Sequence, residues 1–258
     1  MNIVVLLKQT FDTEEKIVIV DGSIDDSGAK YVINPYDEYA VEEALLQRDQ
    51  HGGTVVVIGV GPERTSEALR TALAMGADEA VLIADERTQQ DEASISHILA
   101  AYLRSQPVDL ILGGNFSVDT GGGQVAIRLA KLLDLPHVGS ITKLECRGND
   151  AVVQRDAEGD TETIHITLPA LFTAQQGLNE PRYPSLPGIM KAKKKPFKQI
   201  TLDDLQLSND ELRSLSARTE TISLSLPAQR SAGKVLAGDL PAQVKELSSI
   251  IQTARGNG

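Results

Sequence analysis

Two stretches of this sequence hold residue types in spacings that could do chemistry. The first is Gly113-Gly114-Asn115-Phe116-Ser117-Val118-Asp119-Thr120-Gly121-Gly122-Gly123-Gln124-Val125. It follows an apolar run and opens a helical pattern. Glycine has no Cβ, so three in a row let the main chain approach a ligand closely. Free N–H groups at a helix start, reinforced by the helix dipole, favour a phosphate. The carboxyl ends of the strands of an open α/β sheet are also where nucleotides bind. No Lys-Ser/Thr follows the glycines, so this is not a Walker A loop, and it is not a G-x-G-x-x-G fingerprint. A flexible Gly-rich loop without a ligand would have the same composition.

The second stretch runs from Leu178 to Pro196, LNEPRYPSLPGIMKAKKKP. Pro181, Pro184 and Pro187 each fix their own φ and push the preceding residue out of the helical region. Glu180, Tyr183 and Leu186 are therefore predicted to be extended in a stiff exposed loop. A short helical run is predicted over Ile189–Lys195, stopped by Pro196. An apolar tip (Leu186, Ile189, Met190) then stands beside Lys191, Lys193, Lys194 and Lys195. Apolar contact with a positive rim suits docking to an acidic partner; a solvated lysine face would read the same way.

Catalytic groups are scarce. His51, His97, His137 and His165 are scattered without metal-ligand spacing, and only His137 lies near the glycine loop in sequence. No serine sits in a nucleophile elbow. No carboxylate pair offers a general acid and base. Cys146 is the only cysteine, which excludes an intramolecular disulfide and predicts a reduced, inert thiol.

The elements that position these stretches follow from periodicity. Short apolar runs at Ile3–Leu7, Thr54–Val60, Glu79–Ile83 and Val108–Leu112 read as buried strands. Helical patterns at 35–51 (apolar stripe Tyr39, Val41, Leu45, Leu46), Ser66–Met75, Ala93–Ser105 and Gln124–Leu133 alternate with them. Asn34-Pro35 is a helix entry, with Asn34 as N-cap and Gly52-Gly53 ending the helix. Lys16–Asp26 reads as a hairpin. This alternation predicts a doubly wound, mostly parallel α/β sheet. Ile141–Glu145, Ala151–Arg155 and Glu162–Leu168 alternate polar and apolar residues, predicting an antiparallel extension, with Ala170–Ala174 returning to the core. Beyond Thr201 the pattern thins to a lone strand at Ile222–Leu226, a loop at Ala228–Ala237 and a helix at Pro241–Ala254. Two units are expected: 1–200, and a C-terminal arm over 201–258 lying on a partner chain or on its own domain.

Composition bounds the function. The 258 residues are 41% hydrophobic but only 3% aromatic, so the core rests on Val, Ile, Leu and Ala. A net charge of −11 argues against a general nucleic-acid binder. No stretch approaches membrane-spanning length, and the N-terminal apolar run reads as a strand rather than a signal peptide. A soluble, cytoplasmic protein is expected.

The run NEPRYPSLPGIMKAKKK resembles the signature of electron transfer flavoprotein β subunits, and the similarity extends over essentially the whole chain. The resemblance implies a Rossmann-like fold of the adenine nucleotide α-hydrolase type. It implies an electron carrier rather than an enzyme. The 178–196 segment becomes a recognition loop, with Leu186, Pro187, Ile189, Met190, Lys191 and Lys194 meeting acyl-CoA and other flavin dehydrogenases. AMP would be held by Asp119, Thr120, Gly121, Gly122, Gly123, Gln124 and Val125, and by Leu6, Asn34 and Val60. FAD would sit mainly on the α subunit, near Tyr36 and Thr13 of this chain, although Thr13 replaces an aromatic found in some members. Asp156 matches a carboxylate that pairs with an arginine of the α subunit; a plain surface carboxylate is the other reading. Electrons would pass on to a quinone reductase, and the arm would embrace the α subunit. Two other readings stay open: a bifurcating form with a second FAD in place of AMP, and a stand-alone adenine-nucleotide hydrolase or sensor.

Overall fold

A computed structural model describes residues 1–87, 91–228 and 232–255. β1 (Asn2–Leu6) is the middle one of seven parallel strands. Its side chains alternate between two cores: Ile3 and Val5 enter one, Val4 and Leu6 the other. Sheet residues buried on both faces must be apolar throughout, which is why β1 reads as a continuous hydrophobic run.

An excursion of short strands follows: β2 (Gln9–Phe11), the hairpin β3 (Val18–Val20) and β4 (Ser23–Asp25), and β5 (Tyr31–Ile33), which pairs with β2. Pro35 then opens α1 (Pro35–His51), which Gly52 closes at φ 73°. β6 (Thr54–Val60), α2 (Thr65–Met75) and β7 (Glu79–Ile83) carry the sheet outward on one side of β1. α3 (Glu92–Leu103) returns the chain to β8 (Leu110–Gly114) on the other side of β1, and α4 (Val125–Leu132) follows. β8 begins two residues later than its apolar run and extends into Gly113-Gly114.

The antiparallel extension is β9 (His137–Arg147), β10 (Asp150–Ala157) and β11 (Asp160–Thr167), and β12 (Ala170–Ala174) lies fully buried between β8 and β9. α5 (Leu186–Ala192) packs on α2, and β13 (Phe197–Ile200) adds a parallel edge to β7. The nine-stranded order is β11-β10-β9-β12-β8-β1-β6-β7-β13. It is a doubly wound, mostly parallel sheet with an antiparallel flank, as the alternation predicted. A short α6 (Asn209–Ser214) and a final α7 (Leu240–Arg255) complete the chain.

Several expectations need correction. Leu46 is exposed, and α1 buries Asp37, Glu42, Glu43 and Gln47 instead, because loops from elsewhere in the chain fold over it. Leu186 is not extended: Ser185 caps the helix by accepting from the Gly188 N–H at 3.1 Å, so α5 starts at Leu186 and ends at Ala192. The cap outweighs the pre-proline bias. Ile222–Leu226 forms no strand, having nothing to pair with, and Ile222 is 95% exposed. Within 201–258, Leu202 and Leu215 are buried in the core under α3 and α4, so the first part of that segment packs on its own sheet. The loop expected at Ala228–Ala237 lies partly outside the described residues.

Candidate functional site

Because the chain leaves β1 in one direction and returns to β8 on the other side, a crevice opens at their carboxyl ends, the topological switch point of the sheet. A cleft of about 640 Å³ lies there. Leu6, Asn34 and Val60 line it, with Asp119, Thr120, Gly122, Gly123, Gln124 and Val125 from the glycine loop. Gly121 turns the loop at φ 69° behind that lining. Gly123 is required by close approach and by its φ of 65°: a Cβ there would stand 2.9 Å from the Asn115 carbonyl, whereas one on Gly122 would meet only the carboxylate end of Glu92.

Asn34 occupies the N-cap position of α1 but makes no cap hydrogen bond. Its Nδ2 donates to the Phe116 carbonyl (2.9 Å) and to Asp37 Oδ1 (3.1 Å), and its Oδ1 accepts from the Val118 N–H (3.2 Å). The side chain therefore shapes the glycine loop. Asp37 is buried beside it and accepts from the N–H groups of Lys8 (2.7 Å) and Gly114 (3.0 Å). Burial pushes its carboxyl up to about 7 against those donors. Lys8 Nζ reaches Asp119 Oδ1 at 2.8 Å and Ser117 Oγ at 3.2 Å, fixing the loop from the connection that follows β1. At the start of α4 the Gln124 N–H points to Glu92 Oε1 at 3.4 Å, so a negative oxygen already stands at that helix N-terminus.

Sequence reasoning missed Lys8, Asp37 and Glu92, and it missed the far wall. Phe11 stacks on Tyr31 (4.8 Å between centroids), with the Arg64 guanidinium 4.0 Å above the Tyr31 ring. Ala217, Thr219 and Thr221 close another side, held where Asp91 Oδ2 accepts from the N–H groups of Arg218 (2.6 Å) and Thr219 (3.2 Å). None of these could be placed locally, since each depends on segments distant in the chain. Tyr36 lies outside the lining, tilted on Phe116 at 4.3 Å, and Thr13 is exposed in a turn. His137 starts β9 away from the cleft, and Asp156 is exposed on β10. Cys146 is buried, and burial raises its thiol to about 11.

The second stretch forms a separate surface. Leu186 is 80% exposed and Met190 72%, with Ile189 half-buried beside them and Lys191, Lys193 and Lys194 exposed around them. Lys195 leaves this group: its Nζ donates to the Leu73 (3.0 Å) and Ala77 (2.5 Å) carbonyls, capping the end of α2. Gly188 is needed because a Cβ there would meet the Ala74 carbonyl at 2.4 Å. Arg182 and Asn179 bind the buried carboxylates Glu42 and Glu43 of α1.

Together these features define a doubly wound α/β protein with a glycine-walled cleft at its switch point and a fastened apolar prong on another face. A family model described as the electron transfer flavoprotein domain matches residues 21–205. An electron transfer flavoprotein subunit beta of Bacillus subtilis is 55% identical over 255 residues, 98% of each chain. Subunits of the same name from Syntrophomonas wolfei (39% over 234 residues, 90% of this chain and 88% of that one) and Thermoanaerobacterium thermosaccharolyticum (38% over 250 residues, 96% of each) are also similar. The chain belongs to the electron transfer flavoprotein family, as a β subunit, and a β subunit implies an α-subunit partner. Among the described residues no helix is long and apolar enough to cross a membrane.

Proposed function

We propose that this subunit carries AMP in the switch-point cleft, helps enclose an FAD held mainly by the α subunit, and docks flavin dehydrogenases through Leu186. In this reading the heterodimer is a cytoplasmic electron carrier, not an enzyme. It takes electrons from acyl-CoA and other flavin dehydrogenases, as in fatty acid oxidation, and passes them towards a quinone reductase. FAD supplies the redox chemistry, and the protein sets distance and environment.

The observation that carries the docking role is a leucine four-fifths exposed on a fastened helix tip beside three free lysines. Leu186, Ile189 and Met190 expose apolar surface side by side, and a contiguous apolar patch with a polar rim marks an interaction site. Replacing Leu186 with Ala should raise the KM for the dehydrogenase on the order of tenfold or more, the scale of a lost interface anchor. Dehydrogenase-driven flavin reduction measures this, and an unchanged rate would sink the docking role.

The cleft suits a nucleoside monophosphate. Glu92 Oε1 shows where an anionic oxygen meets the α4 N-terminus, and Gly123 lets the loop pass within 2.9 Å of the Asn115 carbonyl where a Cβ would stand. Gly122, Gly123, Gln124 and Val125 would hold the phosphate by main-chain N–H groups, with Leu6 and Val60 against the nucleoside. Thr13, Tyr36 and Asp156 would face the α subunit and its flavin. A second reading, a bifurcating form with FAD in this cleft, draws on the Phe11–Tyr31 pair, which offers a wall for another planar ring. Counting flavins per purified heterodimer separates the two: two flavins would exclude AMP.

A further inference from the structure

The docking prong is held to α1 by buried charge. Glu42, with its side chain only 6% exposed, receives three donors from one residue: Arg182 N–H at 3.0 Å, Nε at 2.8 Å and Nη2 at 2.8 Å. Beside it Glu43 accepts from Asn179 Nδ2 at 3.0 Å and from Gln47 Nε2 at 2.8 Å, and Asn179 Nδ2 also reaches the Tyr39 carbonyl at 3.0 Å. Adjacent buried carboxylates are costly on a helix face unless each is paired and hydrogen-bonded. A well-packed apolar pair would stabilise as well or better, so an ionic pair here is explained by registration, since a forked guanidinium accepts one geometry. Pro184 stiffens the four-residue span between Arg182 and the Leu186 tip, and Pro181 and Pro187 flank it. Fixing Arg182 therefore fixes Leu186, four residues on.

We infer that Glu42 and Arg182, seconded by Glu43 and Asn179, are positioning residues that hold the Leu186 prong in its docking geometry. This rests on the docking reading above. In this inference the clasp acts by lowering the ordering cost of binding. Glu42 and Arg182 lie outside the cleft lining, so nucleotide and flavin content serve as controls.

The test uses the assembled, FAD-loaded heterodimer and an acyl-CoA dehydrogenase reduced by its substrate. Three variants are compared: Arg182→Lys, which keeps the charge but loses the fork; the double variant Glu42→Gln with Arg182→Met, which leaves no orphan buried charge; and Leu186→Ala. The double variant should raise the dehydrogenase KM on the order of tenfold while the saturated rate stays within about twofold, the pattern of lost preorganisation. Arg182→Lys should fall between it and wild type. Hydrogen exchange over residues 183–190 should quicken in both clasp variants. Adding Leu186→Ala to the double variant should cost less than in wild type, because the two act through one contact. A double variant with wild-type KM, while Leu186→Ala alone raises KM, overturns the clasp and leaves the docking reading standing. No effect of Leu186→Ala overturns the docking reading and this inference with it.

Discussion

At the residue scale, Asp37 decides the shape of the cleft. Its two oxygens gather the Lys8 and Gly114 N–H groups and the Asn34 amide, linking β1, β8 and the entry of α1. Replacing Asp37 with Ala leaves the Lys8 and Gly114 N–H groups without a partner and the Asn34 amide with only the Phe116 carbonyl, at about 2 kcal/mol or more, since each unpaired buried group costs roughly 1–3 kcal/mol. Urea denaturation should show that loss, together with weaker nucleotide retention. Asp37 also imposes a pH dependence. Its folded-state value, raised by burial to about 7 from 3.8, means that the neutral carboxyl fits the fold better than the charged one. Its contribution is therefore fully present below the unfolded value and is lost as pH rises through about 7. Asp37→Asn, which does not titrate there, should lose this slope, and the gap between wild type and variant should narrow as pH rises through that window. Nothing near Asp37 in the sequence marks this role. It reads as first-turn acidic charge on α1, and only the approach of Gly114, 77 positions away, shows what it does.

At the element scale, legibility followed locality. β1, β6 and β7 were readable because strands buried on both faces must be apolar throughout. The glycine loop was readable because close approach needs glycine wherever it occurs. β13 escaped notice because Phe197–Ile200 is a four-residue edge strand with Lys198 and Gln199 both exposed, which offers neither an apolar run nor an alternation. The α1 stripe held at Tyr39, Val41 and Leu45 and failed at Leu46, and the burial of Glu42 and Glu43 was not readable because Arg182 and Asn179 arrive from far along the chain to pair them. The start of α5 was misplaced because the Ser185 cap competes with Pro187, and sequence alone does not weigh the two. The α2–α5 contact yields its own prediction. Gly188→Ala would set a Cβ 2.4 Å from the Ala74 carbonyl, main chain that cannot step aside as a side-chain end can. The whole of α5 must then lift. Dehydrogenase-driven reduction should drop several-fold, the scale of a displaced interface anchor. AMP and FAD contents should hold, because the cleft lies elsewhere on the sheet. Loss of nucleotide with loss of docking would show that the two surfaces are not separable in this way.

At the scale of the whole molecule, α7 is the element this chain alone does not explain. Among the described residues it packs closely on no other helix or strand. Its apolar residues Val244, Leu247, Ile250 and Ile251 remain roughly half exposed, at 54%, 49%, 47% and 48%. A helix of 16 residues is marginal in water by itself, and most helical stability comes from covering an apolar face. Each such side chain gains about 1.5–3 kcal/mol on full burial. The implied α subunit is the candidate cover, and we propose that α7 is an arm reaching onto it. The segment leading to it, from Leu202 to Leu215, packs on the sheet and serves as the root of that arm. Deleting residues 240–255 should therefore change the stability of the isolated subunit by less than about 1 kcal/mol and leave its unfolding midpoint nearly unchanged, as for surface changes away from a core. The same deletion should sharply weaken association with the α subunit. Calorimetry of the truncated chain and co-elution with the α subunit measure the two effects. A truncated chain that still assembles at wild-type affinity would place the arm on its own domain, and a large fall in the midpoint would mean that α7 belongs to this fold after all.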